Sequence, residues 1–158
     1  MDTEDPNDNG SKVEEGTAVL QISVFLANRP GAFVSILDLL QKSHVVVLGL
    51  SVQDSIDNTV VRLVVSDPDT VETLFIEKGI PYNTTELVVV ELRDGAEQMP
   101  ECFRTLLNAE TNTHFIYPLL TQPNGRAALA LCVEDSDFGG SVLSKAGFRV
   151  LRQEDLSR

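Results

Sequence analysis

Leu63-Val64-Val65-Ser66-Asp67-Pro68-Asp69 returns as Leu131-Cys132-Val133-Glu134-Asp135-Ser136-Asp137, and Lys78-Gly79-Ile80 returns as Ala146-Gly147-Phe148, both at a spacing of sixty-eight residues. In each copy an apolar strand-like run meets an aspartate suited to capping a helix, and the helix stops at a glycine. A period of this size occurring twice is too short for a solenoid, which needs at least three units to bury a continuous core. The chain therefore reads as two similar small units packed together. Such pairs place binding sites at their seam.

Working outward, Val19 to Leu26 alternates apolar and polar residues as a strand does, and Asn28-Arg29-Pro30-Gly31 follows as a turn. Phe33, Ile36, Leu37 and Leu40 recur at helical spacing, which predicts a helix over 31–42. Strands are expected over 45–53 and 60–65 about a turn at Asp57-Asn58, a helix opening at Asp67-Pro68, and a strand over 83–92. The second copy repeats this order with weaker signals. Residues 86–92 open it, as one long strand serving both copies. A helix over 100–107 follows, then a hairpin of 115–120 and 126–133 across Gln122-Pro123-Asn124-Gly125. A poor helix over 138–145, weakened by Gly139 and Gly140, and a short strand over 149–151 complete it. The first helix is out of step with the sixty-eight spacing, which implies a small insertion in the second hairpin. Strand, helix, strand, strand, helix, strand is the split βαβ order, an α+β fold with an antiparallel sheet and both helices on one face.

The formal charge of the 158-residue chain is -12, and Met1 to Thr17 alone holds six acids and one base. That segment has no apolar periodicity and reads as a disordered acidic leader. Scattered bases and net acidity argue against nucleic acid, which demands clustered Lys and Arg. No apolar run is long enough for a transmembrane helix, and the acidic start is unlike a secretory signal, so the expectation is a cytoplasmic protein with no membrane contact. Cys102 and Cys132 lack any CxxC or nearby His and read as core thiols. His44 and His114 stand singly, so no metal site is expected. Ser23 and Ser51 have neither a base nor a nucleophile elbow, and Gly139-Gly140 lacks the Lys and Ser/Thr of a phosphate loop, so neither catalytic residues nor cofactors are expected.

The strongest chemical signal is Asn28-Arg29-Pro30-Gly31-Ala32, where a strand hands over to a helix. A helix N-terminus offers unpaired N–H groups and a positive dipole end to an anion, and Gly31 lets a ligand come close to the backbone. The same residues also suit a purely architectural role, with Pro30-Gly31 turning the chain and Asn28 capping the helix.

Ile22-Ser23-Val24-Phe25-Leu26-Ala27-Asn28-Arg29-Pro30-Gly31, with Arg62-Leu63-Val64-Val65-Ser66-Asp67-Pro68-Asp69 further on, resembles an ACT domain. The second half resembles a diverged ACT domain through Val133-Glu134-Asp135 and Lys145-Ala146-Gly147-Phe148-Arg149-Val150-Leu151, and the whole is similar to stand-alone tandem ACT proteins. The resemblance implies two ferredoxin-like βαββαβ units side by side, 18–86 and 87–158, behind a leader of 1–17. It implies a small effector, most often an amino acid, held by the first loop of one unit and the second strand of its neighbour. Carried onto this chain, those residues are Asn28, Arg29, Pro30, Gly31 and Ala32, with Leu48 and Gly49 and with Phe115, Ile116 and Tyr117 on the facing strands. Asp94, Gly95 and Ala96 form the matching second loop and lack the Pro-Gly pair, which makes a weaker second site.

The functional expectation is a non-catalytic regulator that binds a free amino acid or similar small carboxylate, forms a homodimer or other homo-oligomer, and acts on a separate enzyme or transporter. The alternative is a ligand-free dimerisation or interaction module that assembles a partner protein. Pairing of edge strands such as Val45-Val46-Val47 would also remove an aggregation liability; Pro118 removes one ladder donor and leaves both a direct and a broken pairing open.

Overall fold

A computed structural model describes residues 16–27 and 31–157. The first unit runs β1 (Val19–Ala27), α1 (Ala32–Lys42), β2 (Val47–Asp54), β3 (Asn58–Val65), α2 (Pro68–Lys78) and β4 (Tyr82–Leu92). The second continues with α3 (Met99–Asn108), β5 (Thr113–Pro118), β6 (Ala127–Val133), α4 (Ser136–Lys145), β7 (Val150–Leu151) and α5 (Gln153–Leu156). The order is that expected from sequence. α5 and the 3₁₀ turn Gly95–Gln98 are additions.

Local chemistry fixes the ends of these elements. Asp67 accepts the backbone N–H of Thr70 and Asp135 that of Phe138, so the repeated aspartates are helix caps. Gly79 and Gly147 take positive φ where α2 and α4 end. There the next N–H bonds back into the last turn, Ile80 to Phe75 and Phe148 to Leu143. His44 and Glu110 play the same part after α1 and α3, both at positive φ. Their spacing is two residues shorter than that of the glycines. The extra pair lies in the second hairpin, where the chain makes a 3₁₀ turn through Pro123–Gly125.

All strands join one antiparallel sheet in the order β2-β3-β1-β4-β6-β5, with β7 also on β4. β4 belongs to both units: Tyr82–Leu87 pair with β1, while Val88–Leu92 pair with β6 and Val89–Val90 with β7. The expected boundary between residues 86 and 87 thus falls inside one continuous strand. The sheet then curls until its outer strands meet, with Gly49 bridging Leu119 and the Leu120 N–H donating to the Leu48 carbonyl at 2.8 Å. Pro118 ends β5 just before this contact, so the pairing is direct but brief.

Three apolar clusters follow from the curl. Helices α1 and α2 cover one outer face with Ile36, Leu40, Val71 and Phe75 against Ile22, Val24, Val61 and Leu63. Helices α3 and α4 cover the other with Cys102, Leu106 and Leu143 against Val88, Val90, Leu129 and Leu131. Between the units, the inner face holds Val19, Leu48, Val64, Leu87, Val89, Tyr117, Leu119, Ala130, Cys132, Leu151 and Leu156. Both cysteines are free and buried, as read from sequence, and burial pushes the Cys102 thiol up to about 11.

Candidate functional site at the seam between the units

The seam lies where β2 and β5 touch and then part. Gly49 sits at the contact, and a Cβ there would stand 2.6 Å from Leu119 Cδ2 and 3.5 Å from Tyr117 Cε2, so glycine is what allows the close approach. Beyond this point β2 continues to Asp54 and β5 runs back to Thr113 without pairing to one another. Two strand edges therefore border the seam unpaired.

Directly opposed residues of an antiparallel sheet share a face. Ser51 opposes Arg62, Arg62 opposes Ser23 and Ser23 opposes Asn83, giving a polar row across the inner face of the first unit. The second unit answers with Phe115 and Cys132, themselves a pair. The guanidinium carbon of Arg62 lies 4.2 Å from the Phe115 ring centroid, a cation–π contact between the units, and its Nη1 donates to Gln53 Oε1 at 3.2 Å. One row deeper, the Tyr117 hydroxyl donates to Gln21 Oε1 at 2.8 Å while Gln21 Nε2 donates to the Ser23 hydroxyl at 3.0 Å. Burial raises the Tyr117 pKa against a downward pull from Arg62, and burial likewise raises that of Cys132. The far end of the inner face is closed by buried Glu91, which pairs with Arg126 at 2.8 Å and Arg149 at 3.5 Å.

Among the residues expected at the site, Leu48, Gly49 and Tyr117 are buried at the meeting point and Phe115 is half-buried further back along β5. Ile116 points the other way and is 43% exposed. Asn28, Arg29 and Pro30 lie outside the described residues. Gly31 has φ 83 and open space on its side-chain position, and Ala32 begins α1. Whereas aspartates cap α2 and α4, no side chain among the described residues caps α1; Ser35 turns its hydroxyl to the Gly31 carbonyl instead. In sheet register Gly49 aligns through Val64 with Gln21, but the loop leaves β1 at Ala27, about 20 Å of strand further on. The structure thus groups the β2 and β5 residues together and sets Gly31 at the end of the strand, near Asp54 in register rather than Gly49. In the second unit the Asp94 N–H is taken by Gln98 Oε1, and Gly95 and Ala96 are wound into the 3₁₀ turn.

Arg62, Gln21 and Ser23 were missed by sequence reasoning. A single antiparallel layer would turn the polar positions of such strands toward water. A signal existed in Val60-Val61-Arg62-Leu63-Val64-Val65, where one charge interrupts an otherwise apolar strand.

The ACT domain pair family matches residues 17–158. No curated protein has a matching sequence. Among solved structures, a protein from Bacteroides thetaiotaomicron superposes with a TM-score of 0.82 at 20% identity, covering 90% of this chain and 98% of that one. The ligand-free regulatory subunit of aspartate kinase from Thermus thermophilus gives 0.52 at 14% identity, covering 82% and 93%. A structure of aspartokinase alpha and beta subunits gives 0.55 at 19%, covering 80% and 90%. At these identities the likenesses speak for the fold.

Proposed function

The chain belongs to the ACT domain pair family, and from that membership we propose that it is a non-catalytic regulatory protein which binds a free amino acid at the seam between its two units. The observation that carries this reading is the meeting of β2 and β5 at Gly49 and Leu119, followed by their separation. Two unpaired strand edges offer backbone donors and acceptors to a zwitterion, and the polar row beside them adds side-chain groups. The loop of residues 28–32 stays part of this proposal as a second set of contacts beyond the β2–β5 meeting point, with Gly31 unobstructed and α1 uncapped by the described side chains. Solved regulatory subunits of aspartate kinase share the fold, which supports a role in controlling a separate enzyme or transporter. Binding energy that differs between two seam geometries is what would transmit the signal. Cytoplasmic residence and assembly into a homodimer are part of the same proposal. Among the described residues, no helix is long and apolar enough to cross a membrane.

A second reading, a ligand-free assembly module, draws support from the second loop, whose 3₁₀ turn occupies the place of a cradle. A thermal-shift screen against the twenty amino acids separates the two. An effector at a hundredfold excess over its Kd raises Tm by about 5–10 °C for a chain of this size. Replacing Asn28, Arg29 and Gly31 together removes that rise and leaves partner assembly intact. A flat response of folded protein to all twenty removes the effector reading.

A further inference from the structure

We propose that Arg62 is the anion-binding group of the seam, taking a carboxylate of the bound molecule between the hydroxyls of Ser23 and Ser51; this assignment rests on the reading of the seam as an effector site. A half-buried guanidinium ordinarily finds a carboxylate. In this molecule the other end of the inner face obeys that rule, with Arg126 and Arg149 both on Glu91. Arg62 does not: among the described residues no carboxylate pairs with it, and its contacts are one amide oxygen, Gln53 Oε1, and the face of Phe115.

Those two contacts orient the guanidinium without consuming it. The guanidinium carbon sits over the ring and one Nη1 hydrogen is used, so most of the donor fork is left for an acceptor. The neighbours across the strands are of the right kind. Ser23 accepts from Gln21 Nε2, which leaves its own proton to donate, and Ser51 flanks Arg62 from β2. Behind them Tyr117 donates to Gln21 and Gln21 to Ser23, a buried chain that forms the floor and orients the Ser23 hydroxyl. The row opens to solvent, since Asn83 at its end is exposed and Phe25, next along the same face of β1, is 42% exposed. One guanidinium with two hydroxyls suits a single carboxylate better than a phosphate ester, which carries about two charges. Arg62 comes from the first unit and its aromatic support from the second, so occupancy would be felt by both.

The test follows the Arg62 Nε–Hε signal by ¹⁵N NMR, assigned with Arg62→Lys, while sodium acetate and then each amino acid is added to the full chain. A saturable shift with acetate, and at least tenfold weaker binding of any stabilising amino acid by Arg62→Gln with partial retention in Arg62→Lys, is the expected result. The lysine variant keeps the charge over Phe115, so it guards against loss of fold as the explanation. Should an amino acid raise Tm while the Arg62 signal stays still and Arg62→Gln binds it undiminished, the assignment falls and the effector reading stands. Acetate moving the signal with no amino acid acting would leave a carboxylate subsite and remove the amino-acid reading. No movement with either, together with a flat Tm for all twenty amino acids, overturns both.

Discussion

Two adjacent glycines in α4 look alike in sequence and differ in space. A Cβ on Gly139 would stand 2.9 Å from Val133 Cγ2, because the helix lies directly against β6 at that point. On Gly140 the nearest atom would be Val88 Cγ2 at 4.0 Å, an ordinary contact. Gly140→Ala therefore gains helix propensity with no steric charge against it, and stability rises by about 0.5–1 kcal/mol. Gly139→Ala gains the same propensity but forces a branched, buried side chain to move, and the net result is a loss of about 1–3 kcal/mol. Urea denaturation of the two variants checks the pair; equal shifts would contradict the close approach. Read from the sequence, the glycines only weaken a helix. Their different meanings depend on which face meets the sheet, and that is a tertiary fact. Gln21 and Ser23 teach the same lesson from the other side, since alternation placed them on one face of β1 but not beneath a second unit.

At the scale of elements, the repeated aspartates were readable because a cap is local chemistry. Asp67 accepts from both the backbone and the hydroxyl of Thr70, and the hydroxyl bond is the larger cause of a pKa held below the usual carboxylate value. A carboxyl depressed in the folded state contributes stability that is present above its unfolded pKa and is lost as pH falls through the folded one. Asp67 is exposed, so the effect is small and screened by salt. Asp67→Ala should cost about 1 kcal/mol at neutral pH, as cap removal does. Asp67→Asn should retain most of the cap while removing this share of the acid sensitivity, a difference visible in Tm measured from pH 7 down through the carboxylate range. Matching acid profiles for Asp67→Asn and the parent chain would show that the carboxylate charge is immaterial. Elements defined by non-local contacts were harder to foresee. α5 is four residues long. Gln153 within it donates to the Val65 carbonyl and to Ser157, and its N–H bonds the Thr17 carbonyl, so this turn exists to latch the chain end onto the first unit.

For the whole molecule the decisive element is β4. Sequence periodicity located two copies and even the long strand between them, because the apolar run Leu87–Val90 in Tyr82–Leu92 sits in a sheet interior while the β-prone but polar start of the strand stays largely exposed. The curl was beyond it, since closure depends on Gly49 meeting Leu119 across seventy residues of chain. Shared strand, shared inner core and the α5 latch leave neither unit a complete surface of its own. Two units joined through a shared strand and a shared inner cluster should unfold as a single cooperative unit. The chain carries two tyrosines and no tryptophan, which makes that claim measurable. Tyr82 packs against Phe75 in the first unit with ring centroids 5.8 Å apart, whereas Tyr117 lies between the units. With Tyr82→Phe and Tyr117→Phe each leaving one reporter, tyrosine fluorescence and far-ultraviolet circular dichroism should give one coincident urea midpoint within each variant. The Tyr117→Phe midpoint should be lower by about 1–2 kcal/mol of stability, because Gln21 loses its buried donor. Separate midpoints for fluorescence and circular dichroism would mean that the units unfold independently, and β4 would then be a linker rather than the spine of a single structure.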